Sequence, residues 1–418
     1  MREMKESGTE WLSDIPHDWL LSNIGSLYTM RNVKVSDKDY QPLSVTMKGV
    51  VPQLETAAKT DAHDDRKLVK KGDFAINSRS DRRGSCGIAD RDGSVSLINT
   101  ILAPRTEMNP DYYNWLFHST SFADEFYRWG HGIVDDLWTT RWQEMKKIDV
   151  PVPSYDEQEK IAITLKNECS KVDELLANQE AQIEKLKAYK QSLITEVVTK
   201  GLDPNVPMKD SGVEWIGLIP KHWNTIATKY LFRIESGATP KSENPEYFDG
   251  DIPWITPADY KTEEVFVFGG RRNISELGLK SCSTTLIPKG SLIFSKRAPI
   301  GAVAINAEEL CTNQGCLSCI PKTEDIVKYY YYVMSVCTEQ YNLLGSGTTF
   351  KEISATNFAN FVLPNPSVSE QEEMVAYLDE KCSKVDRLIA IKNAKIEKLS
   401  QYKKSLIYEY VTGKKEVI

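Results

Sequence analysis

The chain has 418 residues and a formal net charge of −7, with 41% hydrophobic and 27% charged residues. This balance is typical of a folded globular protein, and the length predicts two or three domains. It excludes a small, uniformly basic DNA-coating protein, although a local basic patch can still bind phosphates. We expect no membrane contact and a cytoplasmic location, because no apolar run is long enough for a membrane span and the first residues lack a signal-peptide core.

A sixteen-residue segment occurs twice. Residues 4–19, MKESGTEWLSDIPHDW, align without a gap with residues 208–223, MKDSGVEWIGLIPKHW, and nine positions are identical. Such an internal repeat indicates two copies of one structural unit. We interpret each copy as a packing motif that seats a variable region against the long helix ending beside it. For the first copy, that helix is the one that closes the chain.

The first variable region mixes short β-like runs with helical ones. The run LVKKGDFAINSRS, residues 68–80, reads as a strand and loop, and residues 111–129 read as a helix. Arginine and lysine neutralise phosphates, and arginine can contact a guanine edge with two donors. The candidate DNA contacts in this region therefore lie in the loop SRSDRRG, and the alternative for each is a solvated surface charge: Arg79, Arg82 and Arg83.

Two long helices follow the two variable regions. Residues 157–199 contain neither glycine nor proline, and they align without a gap with residues 370–412, with 24 of 43 positions identical. Apolar residues recur at steps of three and four over about five heptads, which indicates a long helix packed on another long helix. If a pseudo-twofold relates the halves, the helices run antiparallel. The predicted coiled-coil seam consists of Leu165, Val172, Leu176, Ile183, Leu186, Leu193, Leu378, Val385, Ile389, Ile396, Leu399 and Leu406.

The second variable region repeats the plan of the first with little identity. LIPKGSLIFSKRA, residues 286–298, resembles residues 68–80, so Arg297 takes the place of Arg79. Residues 325–344 read as a helix, and a loop, GSGTTFK, follows it. The candidate DNA contacts in this region are Arg271, Arg272, Lys296, Arg297, Ser346, Thr348, Thr349 and Lys351.

The sequence offers little sign of catalysis. It has no Gly-x-Gly-x-x-Gly after a strand, no Walker A motif and no His-Glu-x-x-His. Cys311, Cys316 and Cys319 form a cluster, but a structural zinc site needs four ligands, and buried thiols are the simpler reading. We therefore predict no catalytic residues, no metal and no cofactor.

The two S-G-x-E-W-x-x-x-I-P-x-x-W segments and the two EQE…CSKVD…IEKL…YKxSLI…E helices resemble the specificity subunit of type I restriction–modification systems. The resemblance covers essentially the whole chain. It implies two target-recognition domains that each read half of a split DNA site, and paired helices that set the gap and dock methyltransferase subunits. The implied subunit is not an enzyme, and its partners are double-stranded DNA, two methyltransferase subunits and, for cleavage, restriction subunits.

Two other classes stay open at this point: a fused modification–restriction enzyme, and a coiled-coil scaffold without a DNA role. The predicted fold is mixed α/β (α+β), with two related globular target-recognition domains separated by a pair of long antiparallel coiled-coil helices in a pseudo-twofold internal repeat. The predicted divisions are the first variable region, the first long helix, a linker, the second variable region and the second long helix: 1–153, 154–201, 202–213, 214–366 and 367–418.

Overall fold

The computed structural model describes residues 2–53, 65–132, 138–261, 263–297, 299–322, 326–345 and 351–417. The chain divides into two compact units, unit 1 with Met1–Ala181 and Lys392–Ile418, and unit 2 with Gln182–Ile391. Each unit contains one variable region and part of each long helix. The predicted mixed α/β class with a pair of long helices is confirmed. Within the described ranges, no helix has an apolar stretch long enough to cross a membrane.

Unit 1 is built on a four-stranded antiparallel sheet of order β10-β9-β12-β4. Its strands are β1 (Met4–Glu6), β2 (Asp14–Pro16), β3 (Leu20–Asn23), β4 (Tyr28–Met30), β5 (Lys34–Val35), β6 (Leu43–Thr46), β7 (Gly49–Pro52), β8 (Arg66–Val69), β9 (Phe74–Asn77), β10 (Cys86–Ile88), β11 (Gly93–Ser96), β12 (Asn99–Pro104) and β13 (Asp149–Val152). The short helices are α1 (Ile24–Leu27), α2 (Pro110–His118), α3 (Thr120–Arg128) and α4 (Trp142–Met145). The first long helix, α5, spans Tyr155–Lys200.

Unit 2 is built on a five-stranded sheet of order β17-β24-β21-β22-β19, in which only the β19–β22 pair is parallel. Its strands are β14 (Met208–Asp210), β15 (Leu218–Pro220), β16 (Asn224–Ala227), β17 (Phe232–Ser236), β18 (Phe248–Ile255), β19 (Phe266–Val267), β20 (Arg272–Ile274), β21 (Leu292–Ser295), β22 (Val303–Asn306), β23 (Cys311–Thr312), β24 (Cys316–Pro321) and β25 (Val362–Asn365). The short helices are α6 (Thr228–Leu231), α7 (Glu276–Ser281), α8 (Val327–Ser335), α9 (Thr338–Leu344) and α10 (Ala355–Ala359). The second long helix, α11, spans Val368–Val411.

The two variable regions share the centre of their sheets despite their different sequences. In unit 1, β9 pairs with β12, with Asn77 opposite Asn99; in unit 2, β21 pairs with β24, with Ser295 opposite Cys316. The next neighbour is also equivalent, because β12 pairs with β4 and β24 pairs with β17. The faint resemblance between residues 68–80 and 286–298 therefore marks strands that occupy equivalent positions in the two sheets, β9 and β21.

Each variable region is fixed to the last turns of a long helix by a buried tyrosine. In unit 1, the Tyr112 hydroxyl of α2 donates to the Val411 carbonyl at 2.9 Å. In unit 2, the Tyr329 hydroxyl of α8 donates to the Val198 carbonyl at 3.0 Å. Both tyrosines are completely buried in the main core of their unit, so burial strongly raises their pKa and keeps the phenols neutral donors.

The repeated tryptophan segment contacts both long helices within its own unit. The Trp19 indole donates to a Glu157 carboxylate oxygen at 2.8 Å, and the Trp223 indole donates to Glu370 at 2.9 Å. These glutamates lie in the first turns of α5 and α11. Both tryptophans are 1% exposed, so the hydrogen bond satisfies a donor that would otherwise be buried without a partner.

The same segments also cover the helix ends, where each helix stops at a glycine with a left-handed backbone. Gly201 has φ +79° and packs on Trp223, while Gly413 has φ +72° and packs on Pro16 and Trp19. A Cβ on Gly413 would lie only 2.3 Å from Pro16 Cγ, so this closing turn needs glycine for its space as well as for its backbone. The predicted seating of each segment beside the helix that ends there is confirmed.

The long helices run antiparallel within each unit. In unit 2, the α5 residues from Lys190 to Ile194 lie beside the α11 residues from Cys382 to Asp386. Further along α5, Lys200 lies beside Tyr377, which comes earlier in α11, so the two helices run in opposite directions. Six of the twelve predicted seam residues are buried: Leu165, Val172, Ile183, Leu378, Val385 and Leu406. The other six are half-buried: Leu176, Leu186, Leu193, Ile389, Ile396 and Leu399.

Two polar seam positions carry equivalent ion pairs. Lys190 of α5 contacts Asp386 of α11 at 2.7 Å in unit 2, and Lys403 of α11 contacts Asp173 of α5 at 2.6 Å in unit 1. The repeat alignment matches Lys190 with Lys403 and Asp173 with Asp386. Each lysine thus reaches the aspartate of the opposite helix, which fixes one register of the antiparallel pair.

The cysteine cluster lies inside the sheets of unit 2. Cys311 in β23 and Cys316 and Cys319 in β24 are fully buried. Burial raises the pKa of Cys316 to about 12 and also raises that of Cys319, so these thiols stay protonated at neutral pH. Their complete burial fits the interpretation of buried free thiols.

Candidate nucleic-acid interface

The clearest basic cluster follows β21 in unit 2. Lys296 and Arg297 come directly after this strand, and three hydrogen bonds to backbone carbonyls hold the turn. The Lys296 amide donates to the Gly315 carbonyl, the Ile353 amide donates to the Lys296 carbonyl, and the Ser295 hydroxyl donates to the Arg297 carbonyl, at 2.8–3.0 Å. The fold therefore gathers segments from three distant parts of the sequence around two cations.

Glu352 joins the two cations. One of its carboxylate oxygens lies 2.9 Å from Lys296 Nζ, and the other lies 2.8 Å from Arg297 Nε. Partial burial alone would raise the pKa of Glu352, but the hydrogen bonds from Lys296 and Arg297 outweigh it and lower the pKa. The carboxylate is therefore ionised at neutral pH, and the three side chains together carry one positive charge.

Other candidates lie around this cluster. Lys351 precedes Glu352 and its side chain packs beside Gly345. Arg271 forms an ion pair with the buried carboxylate of Asp259 at 2.9 Å and keeps a side chain that is 74% exposed. The segment that carries Asp259 also packs on the Lys296 turn, since Pro257 touches Gly315. Three further candidates, Ser346, Thr348 and Thr349, lie outside the described residues.

Arg272 belongs to a different sheet. It lies in β20, and its guanidinium stacks 3.8 Å from the centre of the Phe248 ring, with Asp249 at 3.7 Å. Stacking of this kind holds an arginine flat on the surface. No described contact links Arg272 to the Lys296 turn.

In unit 1, the equivalent turn carries Arg79 after β9. The Thr140 amide donates to the Ser78 carbonyl at 3.0 Å, which mirrors the bond from Ile353 to Lys296. Arg79 is half-buried and pairs through its backbone with Thr139, which stands where unit 2 has Glu352. The framework of this turn is shared, but the carboxylate is not.

The two other arginines of this loop point to separate partners. Arg82 is 68% exposed and lies 3.7 Å from Asp81. Arg83 forms an ion pair with Asp124 and lies over the Tyr127 ring at 5.7 Å. Both stay accessible to a phosphate, but neither shares a carboxylate with Arg79 among the described contacts.

Sequence reasoning missed three polar residues of this site. Glu352 is one, and Gln314, an exposed amide two residues before β24, is another. The third, Thr239, donates its hydroxyl to the Gln314 side-chain oxygen and so orients the amide. The repeat alignment was no help, because unit 1 has Leu97 two residues before β12 and Thr139 at the other place. The only sequence signal was the loop position of Gln314 and Glu352.

Together, the loops at this end of the unit 2 sheet present ammonium, guanidinium, amide and carboxylate groups on adjacent turns. These are the groups that contact phosphates and read base edges in the major groove. Within the described ranges, no group of three or more His, Cys, Asp and Glu residues is arranged to hold a metal ion. The geometry is that of a binding surface with charged and amide donors.

The chain is similar to one family of known proteins. A family model described as "Type I restriction modification DNA specificity domain" matches residues 220–401. The type I restriction enzyme MjaIX specificity subunit of Methanocaldococcus jannaschii is 39% identical over 166 residues, which are 39% of this chain and 38% of that subunit. The match therefore spans well under two thirds of that relative. The MjaVIII specificity subunit of the same organism is 25% identical over 96% of this chain and 93% of its own length.

Solved structures share the fold over nearly the whole chain. A chain from work on the structural basis of complex assembly and conformational transition of the type I R-M system has a TM-score of 0.73 at 15% identity. It covers 95% of this chain and 98% of its own. The HsdS subunit from Thermoanaerobacter tengcongensis has a TM-score of 0.51 at 16% identity, with 96% and 98% coverage. At these identities the likeness supports the fold alone.

Proposed function

We propose that this chain is the DNA-recognition subunit of a type I restriction–modification complex, because it is similar to specificity subunits of such systems. Each variable region reads one half of an asymmetric bipartite site. The chain itself catalyses nothing, and it works in the cytoplasm with two methyltransferase subunits and, for cleavage, restriction subunits. The long helices set the gap between the half-sites and dock the methyltransferase subunits.

One observation carries this proposal: a shared framework presents different side chains at equivalent places. The turn after the central strand is held by the same backbone bond in both units, yet Thr139 faces it in unit 1 and Glu352 in unit 2. Likewise, Leu97 and Gln314 stand two residues before β12 and β24. An exposed leucine suits a thymine methyl group and an amide suits an adenine edge, so the two regions are expected to read different sequences.

The overall charge of −7 fits this role, because the partner subunits can supply part of the grip on the DNA backbone. A coiled-coil scaffold would explain α5 and α11, but it would not require two variable regions that carry an arginine at equivalent turns. Binding to duplex DNA separates the two classes. A recognition subunit with its methyltransferase partners should bind duplex DNA in a salt-dependent way, whereas a scaffold should not.

Methylome sequencing of cells with and without this gene tests the proposal. The deletion should remove adenine methylation from one asymmetric bipartite motif. Complementation with the intact gene should restore that motif and no other. Persistence of every methylated adenine motif in the deletion strain would contradict the proposed function.

A matched pair of variants tests the division between the halves. Arg297→Ala should weaken recognition at one base pair of one half-site by about 1–3 kcal/mol if the arginine contacts a base edge. Arg79→Ala, at the equivalent turn of unit 1, should affect only the other half-site. Binding of the assembled complex to duplexes with single base-pair changes measures both. Equal weakening on every duplex would indicate a phosphate contact instead.

A further inference from the structure

The carboxylate of Glu352 divides its two oxygens between two neighbouring cations. Lys296 Nζ takes one oxygen at 2.9 Å and Arg297 Nε takes the other at 2.8 Å. The Ile353 amide, next in the chain, donates to the Lys296 carbonyl at 3.0 Å, so the backbone holds Glu352 in place. This is a fixed three-residue cluster rather than a chance surface pair.

The two cations are presented differently. The Lys296 side chain is 13% exposed, whereas that of Arg297 is 45% exposed. Among the described contacts, Glu352 engages only Nε of Arg297, so the two terminal nitrogens of this partly exposed side chain have no described partner. Those nitrogens form the two-donor edge that matches O6 and N7 of guanine. Glu352 therefore neutralises the charge of Lys296 and orients the guanidinium of Arg297.

A carboxylate in this place opposes general DNA binding. It cancels one of the positive charges that would otherwise attract phosphates, and it repels the phosphates itself. A group that costs affinity for every sequence can still raise specificity, because it penalises wrong partners more than the right one. Unit 1 has Thr139 at this place and therefore lacks the restraint.

We propose that Glu352 is a specificity-determining residue of the second variable region: it suppresses phosphate binding by Lys296 and positions Arg297 to read a base edge. This rests on the proposed DNA-recognition function and adds a residue-level mechanism to it. Glu352 acts through Arg297, so its role is positioning and its removal should loosen discrimination rather than abolish binding.

The test uses the complex assembled with its methyltransferase subunits and two duplexes, the cognate site and a duplex altered in the second half-site. Affinities are measured by fluorescence anisotropy over a salt series. Glu352→Gln should tighten binding to the altered duplex and reduce the ratio of cognate to altered affinity by about tenfold. Because Lys296 then reaches a phosphate, the slope of log affinity against log salt should steepen by about 1.

Two further variants separate charge from geometry. Glu352→Asp keeps the charge but shortens the reach, so it should lower the affinity ratio without changing the salt slope. Glu276→Gln removes the same charge from an exposed pair with Lys280 in α7, where the side chains are 80% and 73% exposed. It should change neither quantity.

An unchanged ratio in Glu352→Gln would overturn the inference, as would an equal effect of Glu276→Gln, since net charge alone would then explain the result. In both cases the wild-type complex would still prefer its cognate duplex, and the proposed function would stand. A wild-type complex without any preference between the duplexes would instead overturn the proposed function and the inference together.

Discussion

Two regions of the molecule differ in how well they are conserved between the two units. The contacts that seat each variable region on the long helices are shared, whereas the side chains at the turns that end the sheets are not. At the seating, two contacts repeat in both units: an indole donates to a glutamate, and a buried tyrosine donates to a helix carbonyl. At the turns, one backbone hydrogen bond repeats, while Thr139 and Glu352 differ in charge and size.

This difference separates stability from recognition. The seating buries tryptophan and tyrosine in the main cores, where any substitution leaves a cavity or an unsatisfied polar group. The turn residues are half-buried or exposed, and substitutions there usually cost little stability. Under the proposed function, such a protein can change its DNA target by changing the turns, while the seating keeps each variable region on its helices.

The sharpest test of this separation is loss of a seating tryptophan. Trp223→Ala should destabilise unit 2 by about 3–5 kcal/mol, because it removes a buried aromatic ring together with its hydrogen bond to Glu370. Hydrogen exchange resolved by region is the suitable measurement, since a chain with two units need not unfold in one step. Trp19→Ala should produce the same loss in unit 1.

Exchange in the other unit serves as the internal control for each variant. An exposed tryptophan offers a second control, since Trp138, at 37% exposure, should cost much less when replaced by alanine. Equal destabilisation of both units by either seating variant would contradict the view that each segment seats its own unit.

A smaller effect is expected from pH at the unit 2 seating. Partial burial would raise the pKa of Glu370, but hydrogen bonds from Ser367, His222 and Trp223 lower it to about 2. A carboxylate with a depressed pKa stabilises the fold fully above its unfolded pKa of about 4.3 and loses that contribution as pH falls towards 2. Since the carboxylate is about one third exposed, we expect about 1–2 kcal/mol rather than the full value of the shift.

The measurement compares the unfolding free energy of the wild type with that of Glu370→Gln between pH 7 and pH 3. The difference should be constant above pH 5 and shrink below it. Glu372→Gln, an exposed neighbour on α11, provides the matched control and should show no such trend. A difference that grows on acidification would show that the carboxylate is not stabilised in its charged form.

Sequence reasoning reached the parts of the molecule that repeat. The seating segments and the long helices were recognised from their identical residues. Arg79 and Arg297 were matched by a weak sequence similarity, and the two segments form equivalent strands of the two sheets. Local pattern was enough there, because helical periodicity and tryptophan spacing are encoded along the chain.

The turn chemistry was harder to predict, because it depends on contacts between distant segments. The backbone bond from Ile353 to Lys296 brings the Glu352 carboxylate to the Lys296 side chain, and nothing in either segment of sequence signals that pairing. Arg272 was grouped with Arg271 by adjacency, yet Arg272 lies in β20 over the Phe248 ring, whereas Arg271 pairs with Asp259. The turn sequences differ between the two halves, so they lack the repetition that identified the seating segments and the long helices.

The smallest expected effect concerns the equivalent ion pairs between the long helices. Lys190 and Asp386 have side chains 21% and 52% exposed, and Lys403 and Asp173 have side chains 26% and 55% exposed. Such similar exposure predicts similar coupling, about 0.2–1 kcal/mol for each pair, and weaker coupling at high salt. Double-mutant cycles with alanine in each unit, followed by denaturant unfolding, measure both values.

A charge-swapped pair, Lys190→Asp with Asp386→Lys, should retain most of the coupling because the register brings the same two positions together. Coupling in one unit but not the other would mean that the helices, like the turns, have diverged, and that register is held by the apolar seam alone.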